Sequence, residues 1–253
     1  MTETLLRDWG DHEVLTLTIN RPERRNAVDP DLLAALANAL RTDGDRAGAV
    51  ILRGAGDDAF CAGYDLSRLT GTSADLEADR FIGEAVAAIR DSPTPVIARL
   101  AGHCHGAGVE LALTCDLRIA APTLRMSVPA VGLGVVYRYE FVARLVLMCG
   151  LARASSLLLG MRELDSGEAD AWGLLSERCE AALLDERVRA LAEKLATSPR
   201  SAVGGTKASL NLLVTRAVDA GDLQRAQLLR ATAASSPERQ AAVQRRQKKV
   251  TGK

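Results

Sequence analysis

Aromatic rings are scarce in this sequence, 3% of 253 residues, so its core must be assembled from Ala, Leu and Val. Net charge is absent as well: 32 Lys and Arg balance 32 Asp and Glu. A balanced chain gives no reason to expect nucleic acid or an anionic membrane as a partner. No apolar run approaches the ~20 residues a membrane span requires. The start, Met1-Thr-Glu-Thr, has neither a basic segment nor an apolar one behind it, so no signal peptide is expected. The five cysteines form no CxxC pair and sit among small or apolar residues, which reads as a reduced, cytoplasmic protein. Three scattered histidines and no HExxH spacing exclude an evident metal site.

What is present centres on Thr94-Pro-Val-Ile-Ala-Arg-Leu-Ala-Gly-His-Cys-His-Gly-Ala-Gly-Val-Glu-Leu-Ala-Leu-Thr-Cys-Asp116. Val96 to Leu100 is a short apolar run bounded by Pro95 and Gly102, a buried strand. Gly106, Ala107 and Gly108 then open an apolar helix. A strand ending in small residues at a helix N-terminus leaves backbone N–H groups pointing outward, backed by the helix dipole. On this stretch alone, an anion-binding turn and a tight packing turn are both open readings. Ala59-Phe-Cys-Ala-Gly-Tyr-Asp-Leu66 repeats the pattern, after a strand at Ala49 to Arg53. Two such turns converging on one point would form an oxyanion hole for a carbonyl becoming an enolate.

Elsewhere, Val14 to Ile19 reads as a strand, and Asp29-Pro30 as an N-cap and first position of a helix reaching about Arg41. Leu69 to Asp79, rich in Gly, Thr, Ser and Asp, reads as a mobile lid before a helix from about Arg80 to Arg90. Beyond Tyr137 the chain is almost entirely helical: Glu140 to Cys149, Leu151 to Leu159, Ser166 to Trp172, Leu183 to Ala196, Ala202 to Val218, Leu223 to Ala233, and a basic tail from Pro237 to Lys253. Strands alternating with helices argue for an α/β fold. No repeat of fixed period is visible.

Asn20-Arg-Pro-Glu-Arg-Arg-Asn-Ala27, Ala59 to Asp65, Pro95-Val-Ile-Ala, Gly102 to Asp116 and Ala171-Trp-Gly-Leu-Leu175 together resemble the crotonase (enoyl-CoA hydratase/isomerase) superfamily, in register from about residue 10 onward. The resemblance implies a spiral of ββα units over residues 1–198 and a helical oligomerisation region over 199–253. It further implies a homotrimer or a dimer of trimers, and no permanently bound cofactor. The substrate it implies is an acyl-CoA thioester, whose coenzyme A passes under the loop carrying Arg24, Asn26 and Ala27. Cys61, Ala62, Asp65 and Leu66 around the first turn join them as candidate contacts, although Asp65 also reads as the cap of a following helix. The backbone donors fall at Tyr64 and Ala107. In the register set by Pro129 and Gly134, the two hydratase glutamates fall at Ala130 and Ser156, neither of which moves a proton at neutral pH. Two groups each contributing roughly 10²–10⁴-fold are thereby missing.

The segment Leu133-Gly-Val-Val-Tyr137 looks like that of methylmalonyl-CoA decarboxylases, although Tyr64 stands where those enzymes carry histidine. Expulsion of CO₂ yields the enolate without a carboxylate base, so decarboxylation is the favoured reaction, with Tyr137 at the reacting centre. An isomerase using Glu140, a thioester hydrolase using His105, and a catalytically silent acyl-CoA binder remain open. Glu110 is read as a structural residue of its helix, without chemistry.

Overall fold

The computed structural model describes residues 3–216 and 218–251; the side chains of Ala78, Arg216, Val250 and Thr251 are outside that description. The ends of the sequence-derived regions at Met1, Thr2, Gly252 and Lys253, and Ala217 within the helix read to Val218, lie outside the described residues. The strands are β1 (Leu5–Trp9), β2 (Val14–Ile19), β3 (Ala49–Gly54), β4 (Ala59–Cys61), β5 (Val96–Leu100), β6 (His103–His105), β7 (Leu117–Ala120), β8 (Arg125–Ser127), β9 (Glu163–Asp165) and β10 (Glu177–Arg178). The helices are α1 (Pro30–Thr42), α2 (Asp75–Asp91), α3 (Ala107–Thr114), α4 (Tyr139–Cys149), α5 (Leu151–Leu158), α6 (Ser166–Ala171), α7 (Leu184–Ala196), α8 (Arg200–Arg216), α9 (Ala220–Ala234) and α10 (Pro237–Thr251).

Two sheets result. One is ordered β1-β2-β3-β5-β7-β10 and the other β4-β6-β8-β9. The first is parallel apart from the β1–β2 pair, and the second is parallel apart from β8–β9. Successive units β3-β4-α2, β5-β6-α3 and β7-β8-α4 each give one strand to either sheet and then a helix. This is a repeat in space without a sequence period, because the loops within each unit differ in length.

Strands of a parallel sheet covered on both faces read as continuous apolar runs, as Val50, Leu52, Val96, Ile97 and Leu100 do here, all fully buried. Arg99 is the charged exception in β5; its guanidinium bridges Asp57 and Asp185. Every residue of α3 is buried, which demands an all-apolar helix, and Glu110 is its single ionisable residue. Gly108 lets α3 lie against β4: a methyl group there would meet the Cys61 carbonyl oxygen at 2.4 Å.

Asp29 caps α1 by accepting from Leu32 N at 3.0 Å, with Pro30 at the first position, as expected. The lid reading needs correction, since α2 begins at Asp75 rather than near Arg80. Asp75 accepts from the amide and hydroxyl of Thr70 and from the amide of Gly71, and takes Arg239 of α10 at 2.7 Å. Those bonds pin the turn in place. α10 is also held by Gln247, which donates to the carbonyls of Leu66 and Leu69 at 2.9 Å. Lys207 of α8, itself buried, reaches Asp116 and the carbonyls of Ile89 and Thr94. The C-terminal helices are thus tied to the core at both ends. No helix among the described residues is long and apolar enough to cross a membrane.

Candidate active site

The two small-residue turns follow β4 and β6, neighbouring parallel strands, so they emerge side by side at one sheet end. A loop stitched across the first turn sets its orientation. Val28 donates to the Gly63 carbonyl at 2.9 Å and accepts from the Asp65 amide at 2.8 Å. Those bonds use the groups flanking Tyr64 in a parallel bridge, so the N–H of Tyr64 itself faces the opposite way. On the second turn, Gly106 donates to the Ser127 carbonyl at 2.9 Å and, at φ 54° and ψ −117°, adopts a conformation that suits glycine. Ala107 is then the first residue of α3, where an amide has no partner within the helix.

Among the described residues, neither the Tyr64 nor the Ala107 amide donates to a protein acceptor. The turns touch: a methyl group on Gly63 would lie 2.9 Å from the His105 carbonyl oxygen and 3.6 Å from the Ala107 nitrogen. Both turns open into a cavity of about 520 Å³.

Tyr64, Ala107, Tyr137 and His105 line this cavity together, as do Ala62 and Leu66. The Tyr137 hydroxyl would be 3.5 Å from a methyl group on Gly106, which puts it beside the paired amides. It makes no hydrogen bond within the described residues, and its ring packs on Phe141 with centroids 4.9 Å apart. Burial, reinforced by Glu110 and Asp79, holds the phenol well above its usual pKa, so it is a neutral donor. Burial also raises Tyr64, to about 12. Both ring nitrogens of His105 are engaged, Nδ1 with Ser127 Oγ at 2.8 Å and Nε2 with His103 Nδ1 at 3.1 Å. Burial, then His103, lowers its pKa and keeps the ring neutral.

Glu140 stands on the first turn of α4 and is not part of the cavity wall. Ala130 is, and it presents a methyl group there; Ser156 lies within α5. Cys61 and Cys104 are buried, and desolvation holds the Cys61 thiol near pKa 12, which makes a nucleophilic thiolate untenable.

The candidate coenzyme contacts divide. Arg24 is exposed and reaches Asp65 at 3.4 Å. Asn26, 1% exposed, spends its side chain inside: it donates to the carbonyls of Ala55 and Ala59 and accepts from the Arg21 amide. Ala27 is buried, and its carbonyl accepts from Arg21. Asp65 caps the short turn after Tyr64 by accepting from the Ser67 amide, and pairs with Arg21 at 2.9 Å. Arg21, which also pairs with Asp29, is the hub that sequence reasoning missed. An arginine before a proline in a polar loop carries no mark of burial.

Glu110 was missed for a different reason. The residue lines the cavity, and its Oε1 takes two bonds from Arg138, one from Nη2 and one from Nε at 3.0 Å. One ionisable residue in an otherwise buried apolar helix was the available signal.

A sequence profile of the enoyl-CoA hydratase/isomerase family matches residues 10–251. This chain belongs to that family. The 1,2-epoxyphenylacetyl-CoA isomerase of Escherichia coli is 34% identical over 84% of both chains. An enoyl-CoA hydratase from Mycobacterium avium subsp. paratuberculosis superposes with a TM-score of 0.85 at 26% identity, covering 98% of this chain and 97% of that one. Methylmalonyl-CoA decarboxylase in complex with 2-nitronate-propionyl-CoA superposes at 0.87, covering 98% and 97%, but at 23% identity that likeness concerns the fold alone. The α/β crotonase fold with its C-terminal helices is the one the motifs implied, and the chain is an acyl-CoA enzyme of the hydratase/isomerase type.

Proposed function

We propose that this enzyme holds the thioester carbonyl of an acyl-CoA between the amides of Tyr64 and Ala107, stabilises the enolate that forms there, and acts as a decarboxylase of a malonyl-type thioester. The observation that carries this reading is the pair of unbonded amides on touching turns. Two aligned N–H groups in a site shielded from water stabilise an oxyanion far better than solvent does. Ala130 on the cavity wall supports a reaction that needs no glutamate at that position. When the bond from the α-carbon to the carboxylate breaks, its electron pair enters the enolate and CO₂ leaves. The Tyr137 hydroxyl, neutral and without a partner, orients the departing carboxylate.

Arg24, Asn26, Ala27, Cys61, Ala62, Asp65 and Leu66 surround the path of the coenzyme A moiety, with Arg24 the residue exposed enough to meet a phosphate. The exposed Leu210, Leu213, Leu228 and Leu229 on α8 and α9 support subunit packing through residues 199–253 in a homotrimer or a dimer of trimers. A cytoplasmic setting accords with the buried free thiols. The position of Glu140 speaks against an isomerase that depends on it, and the engaged nitrogens of His105 speak against a hydrolase.

The test is a panel of malonyl-, methylmalonyl- and enoyl-CoA thioesters. We expect CO₂ release from a malonyl-type member, and in Tyr137→Phe a kcat lower by about 10- to 100-fold with KM little changed, the worth of one hydrogen bond to a charged group. Binding without turnover of any thioester would favour the silent reading, and full activity in Tyr137→Phe would remove that residue's role.

A further inference from the structure

We infer that Ser127, His105 and His103 form a proton wire through the wall of the cavity, carrying to the enolate a proton that enters from solvent at His103. The inference rests on the proposed enolate chemistry and assigns the step that chemistry leaves open, how a proton reaches a site shielded from water.

Side chains alternate across a strand, so His103 and His105 share one face of β6 while Cys104, fully buried, points to the other. On β8 Met126 is likewise buried, and in register Arg125 stands opposite His103 and Ser127 opposite His105. β9 continues the pattern, with Leu164 buried and Glu163 and Asp165 opposite Ser127 and Arg125. The face away from the core is therefore polar, and three of its groups are chained. Ser127 Oγ lies 2.8 Å from His105 Nδ1, and His105 Nε2 lies 3.1 Å from His103 Nδ1. The chain has one end on either side of the wall. Ser127 and His105 line the cavity, next to Gly106, whose amide donates to the Ser127 carbonyl. His103 is half-buried and is not part of the cavity wall. Its Nε2 has no partner among the described residues, yet it is not enclosed, since Arg239 Nε is the one side-chain atom there that is both buried and unsatisfied. That nitrogen is open to solvent.

Each member can donate and accept at once, which a wire requires: a hydroxyl does so, and a neutral imidazole donates from one nitrogen while it accepts at the other. Burial, then His103, lowers the pKa of His105 and keeps it in that neutral form. The identity of the third member decides between a wire and an activated nucleophile. In a nucleophilic triad a carboxylate fixes the imidazole and does not take its proton. Here the third group is a second imidazole, which passes a proton on as readily as it accepts one. The charged groups facing the two rings are Arg25, Arg125 of β8, Glu163 and Asp165 of β9, and Arg246 of α10, and none of them bonds either ring.

The step balances along the chain. After CO₂ departs, the α-carbon of the enolate takes the hydroxyl proton of Ser127; the new C–H bond uses the enolate electron pair, and the carbonyl is restored. Ser127 Oγ takes the proton of His105 Nδ1, His105 Nε2 takes that of His103 Nδ1, and His103 Nε2 takes one from hydronium or a buffer cation. Each imidazole stays neutral and changes only which nitrogen carries its proton. By microscopic reversibility the same transfers run backwards when an α-proton leaves the product thioester, and that outward pass returns both rings to their starting state.

The experiment follows exchange of the α-hydrogens of propionyl-CoA in D₂O by mass spectrometry, over a range of imidazole buffer concentrations, alongside calorimetric binding of the same thioester. The wild type should bind, and exchange at a rate that buffer concentration does not change. His103→Gln keeps a polar side chain at a half-buried position but cannot pass a proton through. It should bind within about 3-fold, exchange about 10-fold more slowly in dilute buffer, and recover toward the wild-type rate as imidazole rises and takes the place of the outer ring. A merely structural contact would give no such recovery. Ser127→Ala interrupts the inner end, should also exchange at least about 10-fold more slowly, and decides the matter if His103→Gln does not fold. Wild-type exchange in either variant, a slow rate in His103→Gln that imidazole does not lift, no exchange in a wild type that binds, or an acyl adduct on Ser127 each overturns the inference. Absence of thioester binding by the wild type would instead strike the proposed function beneath it.

Discussion

Ala107→Pro should fold, bind thioester with near-normal affinity and lose roughly 10²–10³ in kcat, the usual consequence of removing one oxyanion donor. Position 107 makes this an unusually clean deletion. Proline is welcome at the first residue of a helix because its missing N–H had no intrahelical partner to lose, and Ala107 begins α3. Gly106 can supply the extended backbone that a residue before proline requires, in its mirror-image form. The substitution thus removes the donor hydrogen and sets the proline Cδ in its place, while the helix start is kept. Ala107→Gly keeps the N–H and should retain most activity. Steady-state kinetics on whichever thioester turns over, with circular dichroism to check folding, makes the comparison. If both variants lose kcat equally, a disturbed turn rather than lost donation is at fault; if the proline variant keeps its rate, the second amide plays no part.

Asp65→Asn should cost about 3 kcal/mol, and on the order of 10 °C in Tm, because it leaves the largely enclosed Arg21 short of its partner Asp65, a buried carboxylate. Arg21 keeps Asp29, which places the expected cost at the lower end for a broken buried pair. The pH dependence gives the sharper signature. Burial pushes the Asp65 carboxyl up, but the bonds from Ser67 and Arg21 outweigh it and hold the pKa below the ordinary carboxylate range. A group depressed on folding contributes stability above its unfolded pKa, about 3.9 for aspartate, and loses it as pH falls through the folded value. The wild type should therefore shed more Tm than Asp65→Asn as pH falls from about 5 to 3. Parallel curves would mean that Asp65 carries no linkage. Because Asp65 anchors one side of the Tyr64 turn, the variant should also raise KM at neutral pH.

The sequence made the two turns legible because small residues after apolar runs leave the backbone little choice. α1 was equally legible through Asp29 and Pro30. The second sheet was not: β4, β6 and β8 have three residues each, too few for any alternation to register, and they exist because neighbouring strands supply their hydrogen bonds. The start of α2 was hidden by its helix-poor opening, Thr72-Ser-Ala-Asp75, which Asp75 holds in place by accepting from Thr70 and Gly71 and, across the fold, from Arg239. Within the site, the positions of Tyr137 and His105 followed from motif register, whereas the worth of Glu110 and Arg21 depends on partners 28 and 44 residues away. Arg138, just before α4, carries no local mark of burial, and its pairing with Glu110 is what makes it part of the interior.

Difference infrared spectroscopy of a bound acyl-CoA carrying ¹³C at the thioester carbonyl tests the central claim most directly, because it reads the polarisation of the one bond that the amides of Tyr64 and Ala107 are proposed to grip. The carbonyl stretch should fall to lower frequency on binding than in water, and part of that fall should disappear in Ala107→Pro. A stretch at or above its frequency in water, unchanged by the proline, would contradict the account.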